Sequence, residues 1–348
     1  MEVYIDKNFI NNYWAIDSSD AVITSFCDDF LKHANRYTLI TNYASEEEMY
    51  ESEEAELFID DIVQQQNAAD MVYLQNLLDE DCLSSCLNNG GCKLLFIECD
   101  EQNAIDLERK YGYRVITSAT LKTKWSEYIK YNDVEKTIVL PADESDDEIF
   151  NNWSDLKFIS TFPTNSIVIA DKYILSDKSQ GRLKDNLIPM LEQLIPVDYQ
   201  GELSIAILSE SILSQENCSP KERAIKTHSV LNRHFAKYKH LKIKFTILKF
   251  DKYFNSGKQP KIHDRHIYTN YYTIKCGIGF DLFNKNERKV EDSEVSIRFN
   301  FQPRQMKTLP VKLNGLKVYV NNMKKMDKMD VFKMYPENFD KFHCHLLN

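Results

Sequence analysis

Short apolar runs alternate with longer segments of helical spacing along most of this chain, and that alternation limits the fold more than any other feature. In the first half, residues 3–6, 37–40, 93–97 and 113–117 read as strands. Between them, residues 21–33 carry Val22, Phe26 and Phe30 at helical spacing, with Asp17 or Ser18 as N-cap, and helices are predicted over 53–65, 69–87 and 102–111. Asn89-Gly90-Gly91 and Gly112 mark chain reversals. In the second half, strands are predicted over 136–140, 166–170, 203–209, 241–248, 265–269 and 295–301. Helices are predicted over 187–195, over 221–238 after Pro220, and over 340–347. Strands separated by helices imply an α/β fold of layered, parallel sheets.

The 348 residues, 43% of them hydrophobic, suffice for two cores at about 150 residues each. With 9 Gly and 9 Pro the chain is neither collagen-like nor low in complexity. No apolar run reaches the roughly 18 residues that span a bilayer, and the first residues lack the pattern of a signal peptide. The eight cysteines are scattered, which fits reduced thiols in a cytoplasmic protein. Cys82, Cys86 and Cys92 lack the paired spacing of a zinc ribbon and read as buried thiols.

Charge is split along the chain. Residues 1–160 carry 12 Lys and Arg against 33 Asp and Glu, a balance of −21, whereas residues 161–348 carry 31 against 20, a balance of +11. The acid run Asp143, Glu144, Asp146, Asp147 and Glu148 follows Pro141 and reads as a linker. The division expected is an acidic α/β domain over 1–141, a linker over 142–155 and a basic α/β domain over 156–348. A second acid block, from Glu46 to Glu56, reads as a solvated helix face. The basic half is expected to meet a polyanion, either nucleic acid or an anionic phospholipid. Lys221, Arg223, Lys226, Arg233 and Lys237 on one predicted helix would contact phosphate, together with Lys261 and Lys275. Tyr268, Tyr271 and Tyr272 would stack on bases. His343-Cys344-His345 offers metal-ligating atoms, although an accident of a final helix explains the triplet as well.

Two constellations carry chemistry. His263 and Arg265 alternate on a predicted strand and so share a face. A guanidinium grips two phosphate oxygens, and a nearby imidazole exchanges a proton or attacks phosphorus. The stretch His263-x-Arg265, four residues, Asn270, six residues, Gly277 resembles the His-x-Lys, Asp, Gly motif of the phospholipase D superfamily. With Gly277-Ile278-Gly279-Phe280-Asp281 it is especially similar to the phospholipase-D-like domain at the C-terminus of MIT-domain proteins. The resemblance covers roughly residues 160–300. It implies a metal-independent phosphodiesterase or nuclease, of a kind found in prokaryotic antiviral defence and toxins. His263 would be the nucleophile, Arg265 the phosphate clamp and Asn270 the third motif residue, with Asp171 and Asp281 in support. A single motif implies a homodimer or a subunit of a larger complex. Arg for Lys and Asn for Asp are departures that point to the alternative, a catalytically inactive binding module for nucleic acid, a phospholipid headgroup or a protein.

At the other end, a strand ending in Asp6 resembles the opening of a PIN-like nuclease domain. That resemblance implies Mg²⁺ or Mn²⁺ held by Asp6 with Asp100 and Asp106. The family's later Thr-Asn/Ser-Asp is absent, because Thr117-Ser118 is followed by Ala119.

Overall fold

In the computed structural model the described residues are 1–16, 19–63, 70–132, 134–138, 149–176, 181–209, 219–249, 265–284, 287–288, 293–325, 332–338, 340 and 342–347. His263, Lys261, Asp17, Ser18, the acid run from Asp143 to Glu148 and Cys218 lie outside them. The chain forms two compact units, one of Met1–Asn132 with Phe299–Val311, the other of Asp133–Arg298 with Lys312–Asn348. The break thus falls before the acid run rather than within it, and a late segment returns to the first unit.

The first unit follows the order Glu2–Ile5 (β1), Lys7–Tyr13 (α1), Ala21–Asp29 (α2), Thr38–Thr41 (β2), Glu46–Tyr50 (α3), Glu53–Val63 (α4), Asp70–Tyr73 (β3), Glu80–Asn88 (α5), Lys93–Phe96 (β4), Glu101–Tyr111 (α6), Val115–Ile116 (β5) and Leu121–Lys130 (α7). All five strands are parallel, in the order β3-β2-β1-β4-β5. Lys93-Leu-Leu-Phe96 is buried at every position because both faces of the sheet are covered. On one face, Tyr4 and Leu95 join Leu83 and Leu87 of α5 and Tyr111 of α6. On the other, Phe96 meets Phe9, Phe26 and Phe30, with ring centroids 5.2–5.7 Å apart. Glu46, Glu47, Glu53, Glu54 and Glu56 are exposed, while Met49, Ala55 and Phe58 of the same helices are buried, as expected of a solvated acidic face. Gly112 ends α6 in the left-handed region, at φ 70°, and its N–H caps the carbonyl of Glu108.

The second unit contains Val134–Ile138 (β6), Ser166–Ala170 (β7), Ile188–Leu194 (α8), Glu202–Ser209 (β8), Pro220–Phe235 (α9), Lys242–Lys249 (β9), Arg265–Tyr268 (β10), Tyr272–Cys276 (β11), the small hairpin Phe283–Asn284 (β12) and Glu287–Arg288 (β13), Ser293–Phe299 (β14), Pro303–Lys325 (α10, whose residues to Val311 count with the first unit) and Met334–Tyr335 (β15). Its main sheet has eight strands in the order β15-β9-β8-β7-β10-β11-β14-β6. β7 pairs parallel with β8 and β8 with β9, whereas β10 pairs antiparallel with β7, β11 with β10, β6 with β14 and β15 with β9. The expected parallel sheet is therefore mixed, because β10 and β11 form a hairpin and a hairpin pairs antiparallel.

Two predicted helices are not formed as expected. Over 69–87 the chain gives β3 first, since Asp70–Tyr73 completes the sheet beside β2, and only then α5. Residues 342–347 are not helical: Cys344 packs with its Sγ 3.0 Å from Ser166 Oγ, and Leu346 and Leu347 are buried. Among the described residues no helix is long and apolar enough to cross a membrane.

Candidate functional site

In the second unit, β10 begins with Arg265 beside the carboxyl end of β7, since His266 is in register with Ala170. The residue that follows β7 is Asp171, which is 2% exposed. Its Oδ1 accepts the N–H of Tyr173 at 2.7 Å and its Oδ2 that of Phe280 at 2.7 Å. Burial pushes the Asp171 carboxyl above the usual range, against the pull of those two N–H donors and of Arg265. The Arg265 guanidinium donates to the Gly277 carbonyl and lies 5.7 Å from the centre of the Tyr173 ring.

The glycine-rich segment after β11 passes over this edge. Gly279 adopts φ +103°, and a Cβ there would sit 2.9 Å from Asp171 Oδ2. A Cβ on Gly277 would meet nothing within 4 Å, so open space adjoins the Arg265–Gly277 contact. Asp281 pairs with Arg182 (Oδ2 to Nε, 2.7 Å), and Arg182 also donates to the Tyr173 carbonyl at 2.6 Å. Asn186, fully buried, accepts from Leu282 and Phe283 at 3.0 and 2.9 Å and donates to the Phe283 carbonyl at 2.9 Å. Arg265, Asp171 and Asp281, singled out from sequence, therefore belong to one cluster. Tyr173, Arg182 and Asn186 belong to it too and were not foreseen. Tyr173 lies only two residues beyond Asp171, but nothing in the sequence shows that Asn186 is buried.

Other expected site residues stand elsewhere. Asn270 lies at the far end of β10, where it accepts from Asn165 and Ser166 at 3.0 and 3.3 Å and donates to Asn165 Oδ1 at 3.1 Å. It ties the β10–β11 turn to the start of β7 and does not join Arg265. Tyr268, Tyr271 and Tyr272 are 3%, 0% and 0% exposed, so none offers a face to a base. Tyr272 packs edge-on against Phe158 and Phe162, and Tyr268 stacks on His266. Lys275 is half-buried on β11 opposite His266.

On α9, Arg223 is buried, Lys226 and Arg233 are exposed, and Lys221 pairs with Glu337 at 2.8 Å. Lys237 and His234 both meet Glu192, and Lys242 and Lys244 both meet Glu202. Of the basic residues expected to contact phosphate on this helix, Lys221 and Lys237 are thus paired with carboxylates, as are Lys242 and Lys244 of β9.

In the first unit, Asp6 is fully buried where the strand order reverses between β1 and β4, the place where open α/β sheets form a crevice. Its Oδ1 N-caps α1 through Asn8 N–H at 2.5 Å, and its Oδ2 accepts the N–H of Glu98, just beyond β4, at 2.7 Å. Asp100 N-caps α6 through Asn103 at 2.8 Å, and Asp106 is exposed on that helix and accepts from Gln102 at 2.9 Å. Among the described residues no group of three or more His, Cys, Asp and Glu is placed to hold a metal ion, so Asp6, Asp100 and Asp106 do not gather into one. Likewise His343 and His345 approach to 3.1 Å between Nε2 atoms as a pair, and Cys92 is buried.

Burial also pushes the Asp6 carboxyl above its usual range, opposed by the N–H groups of Glu98 and Asn8. A carboxyl raised in the folded state adds stability below its unfolded value, about pH 4, and loses that share as pH rises through the folded value. The stability of the wild type relative to Asp6→Asn, from urea midpoints, is therefore expected to fall as pH rises above about pH 4. A gap that widens over that range contradicts the assignment.

No protein-family model matches the chain, and no curated protein or solved structure matches it. None of these comparisons identifies a phospholipase-D-like or PIN-like relative.

Proposed function

We propose that this protein binds phosphodiesters at the Arg265 edge of its second unit, as a nucleic-acid-binding, phospholipase-D-like protein of the cytoplasm. The observation that carries the reading is the placement of Arg265. It opens an inner strand of the sheet, is braced by the Gly277 carbonyl and the Tyr173 ring, and borders the open space at Gly277. In this reading Arg265 clamps a non-bridging phosphate oxygen. His263, two residues earlier in the sequence, attacks phosphorus, and a second copy of the chain supplies the acid that protonates the leaving oxygen.

Binding without turnover is the second reading. The placement of Asn270 favours it, because at the opposite end of β10 it cannot stabilise an imidazolium near Arg265. The test is cleavage and binding of labelled single-stranded DNA, duplex DNA and RNA, with and without EDTA, by wild type, His263→Ala and Arg265→Ala. EDTA-resistant cleavage lost in His263→Ala supports the nuclease. Binding weakened about ten-fold in Arg265→Ala, with no cleavage by any form, supports the binding module. Binding and cleavage unchanged in both variants would overturn the site.

A further inference from the structure

Beyond β4 in the first unit lies a cavity of about 370 Å³ that the phosphate site does not use. It opens between α5 and α6, and its wall includes Ile97, Glu98 and Cys99, the residues that directly follow β4. In an open α/β sheet ligands bind outside the carboxyl ends of the strands, and this cavity adjoins the carboxyl end of β4. Its volume falls at the small end of ligand pockets, which run from about 300 to 1,000 Å³.

The lining has two characters. Leu83, Ile97, Leu107 and Tyr111 give it an apolar floor that belongs to the hydrophobic core of this face or packs against it. Three acidic residues line it, Glu80, Glu98 and Asp106, against one basic residue, Lys110. The Lys110 ammonium is already matched, since it pairs with Glu80 at 2.8 Å as a strut from the end of α6 to the start of α5. Glu98 and Asp106 remain. Glu98 Oε1 accepts the N–H of Ser118 at 2.6 Å, and the nearest cation to Asp106 is Arg109, at 4.0 Å.

The geometry points to a binding site for a compact organic cation, an amine carried on a single apolar ring or short aliphatic body. The floor would cover the apolar body, and Glu98 and Asp106 would accept from the ammonium. A bare divalent ion suits the place poorly, because an apolar floor cannot replace its hydration shell and two carboxylates are too few to hold it. An anion would meet three acidic residues against one lysine. The inference is independent of the phosphate site, which lies in the other unit and takes the opposite charge.

The probe is 2-phenylethylamine, compared with its neutral analogue 2-phenylethanol and with phenylacetate by titration calorimetry on the full chain. The amine is expected to bind about ten-fold more tightly than the alcohol, as one charge-assisted hydrogen bond would give, and phenylacetate is expected to bind least. Asp106→Asn, at an exposed position, is expected to weaken the amine and leave the alcohol unchanged. Leu83→Trp, which fills the cavity, is expected to remove both while circular dichroism and the urea midpoint confirm folding. Equal binding of amine and alcohol, stronger binding of phenylacetate, amine binding that survives the filled cavity, or no amine binding at millimolar concentration would each overturn the assignment.

Discussion

Gly279→Ala is expected to destabilise the second unit by about 2–4 kcal/mol and to abolish the phosphate binding proposed at Arg265. The residue adopts φ +103°, where a side chain is strained whatever space surrounds it. Space is also lacking, because the added Cβ would stand 2.9 Å from Asp171 Oδ2. A long surface side chain would swing aside at little cost, but Asp171 is short, buried and held at both oxygens by the N–H groups of Tyr173 and Phe280. Moving it leaves two backbone donors short of an acceptor and shifts the segment whose Gly277 carbonyl braces Arg265. Urea denaturation gives the stability change, and a salt titration of oligonucleotide binding gives the functional one. Gly277→Ala is the control: its Cβ meets nothing within 4 Å, so a much smaller stability loss is expected there. Equal losses at the two glycines would refute the account.

Trp125→Ala is expected to cost about 4 kcal/mol, the range for removing a large buried aromatic side chain. Domain stabilities are about 5–15 kcal/mol, so a loss of that size leaves the first unit marginal. Trp125 is 1% exposed and touches four rings: Phe26 at 5.0 Å, Phe30 at 5.2 Å, Tyr128 at 5.7 Å and Phe299 at 5.9 Å between centroids. These rings lie on the face of the parallel sheet that buries Phe96, so a void there loosens α2 and α7 together. The expected result is a large fall in the urea midpoint of the unit that holds Trp125, with Trp125→Phe losing roughly half as much. A change below about 1 kcal/mol would mean that the cluster repacks.

The sequence made some of this legible for identifiable reasons. The succession β7, α8, β8, α9 and β9 was readable almost residue by residue, because runs such as Ile167-Val168-Ile169 are buried on both faces and end at Asp or Ser. The strand order was not readable. β6 and β14 pair although more than 150 residues separate them, and no local spacing encodes such a partner. α10 escaped notice because Pro310 and Gly315 interrupt its spacing with the two poorest helix formers. Of the candidate site, Arg265, Asp171 and Asp281 were recognisable as charged residues near strand ends. Tyr271 and Tyr272 were misjudged because alternation places only one of two neighbours inside, whereas both are buried here. Asn270 was misjudged because spacing along a chain does not say which end of a strand a motif residue will serve.

The carboxylates set against α9 and β9 change what a polyanion would encounter at that surface. Binding to nucleic acid ordinarily draws much of its free energy from small cations leaving the phosphates as lysines replace them. Lys221, Lys237, Lys242 and Lys244 already have Glu337, Glu192 and Glu202 as counterions fixed to the protein, and fixed counterions gain no entropy when displaced. A nucleic acid that lay across this helix would have to part those ion pairs one by one. Under the proposed function, these four lysines would therefore add little to binding, and the contact proposed at the Arg265 edge would carry more of it.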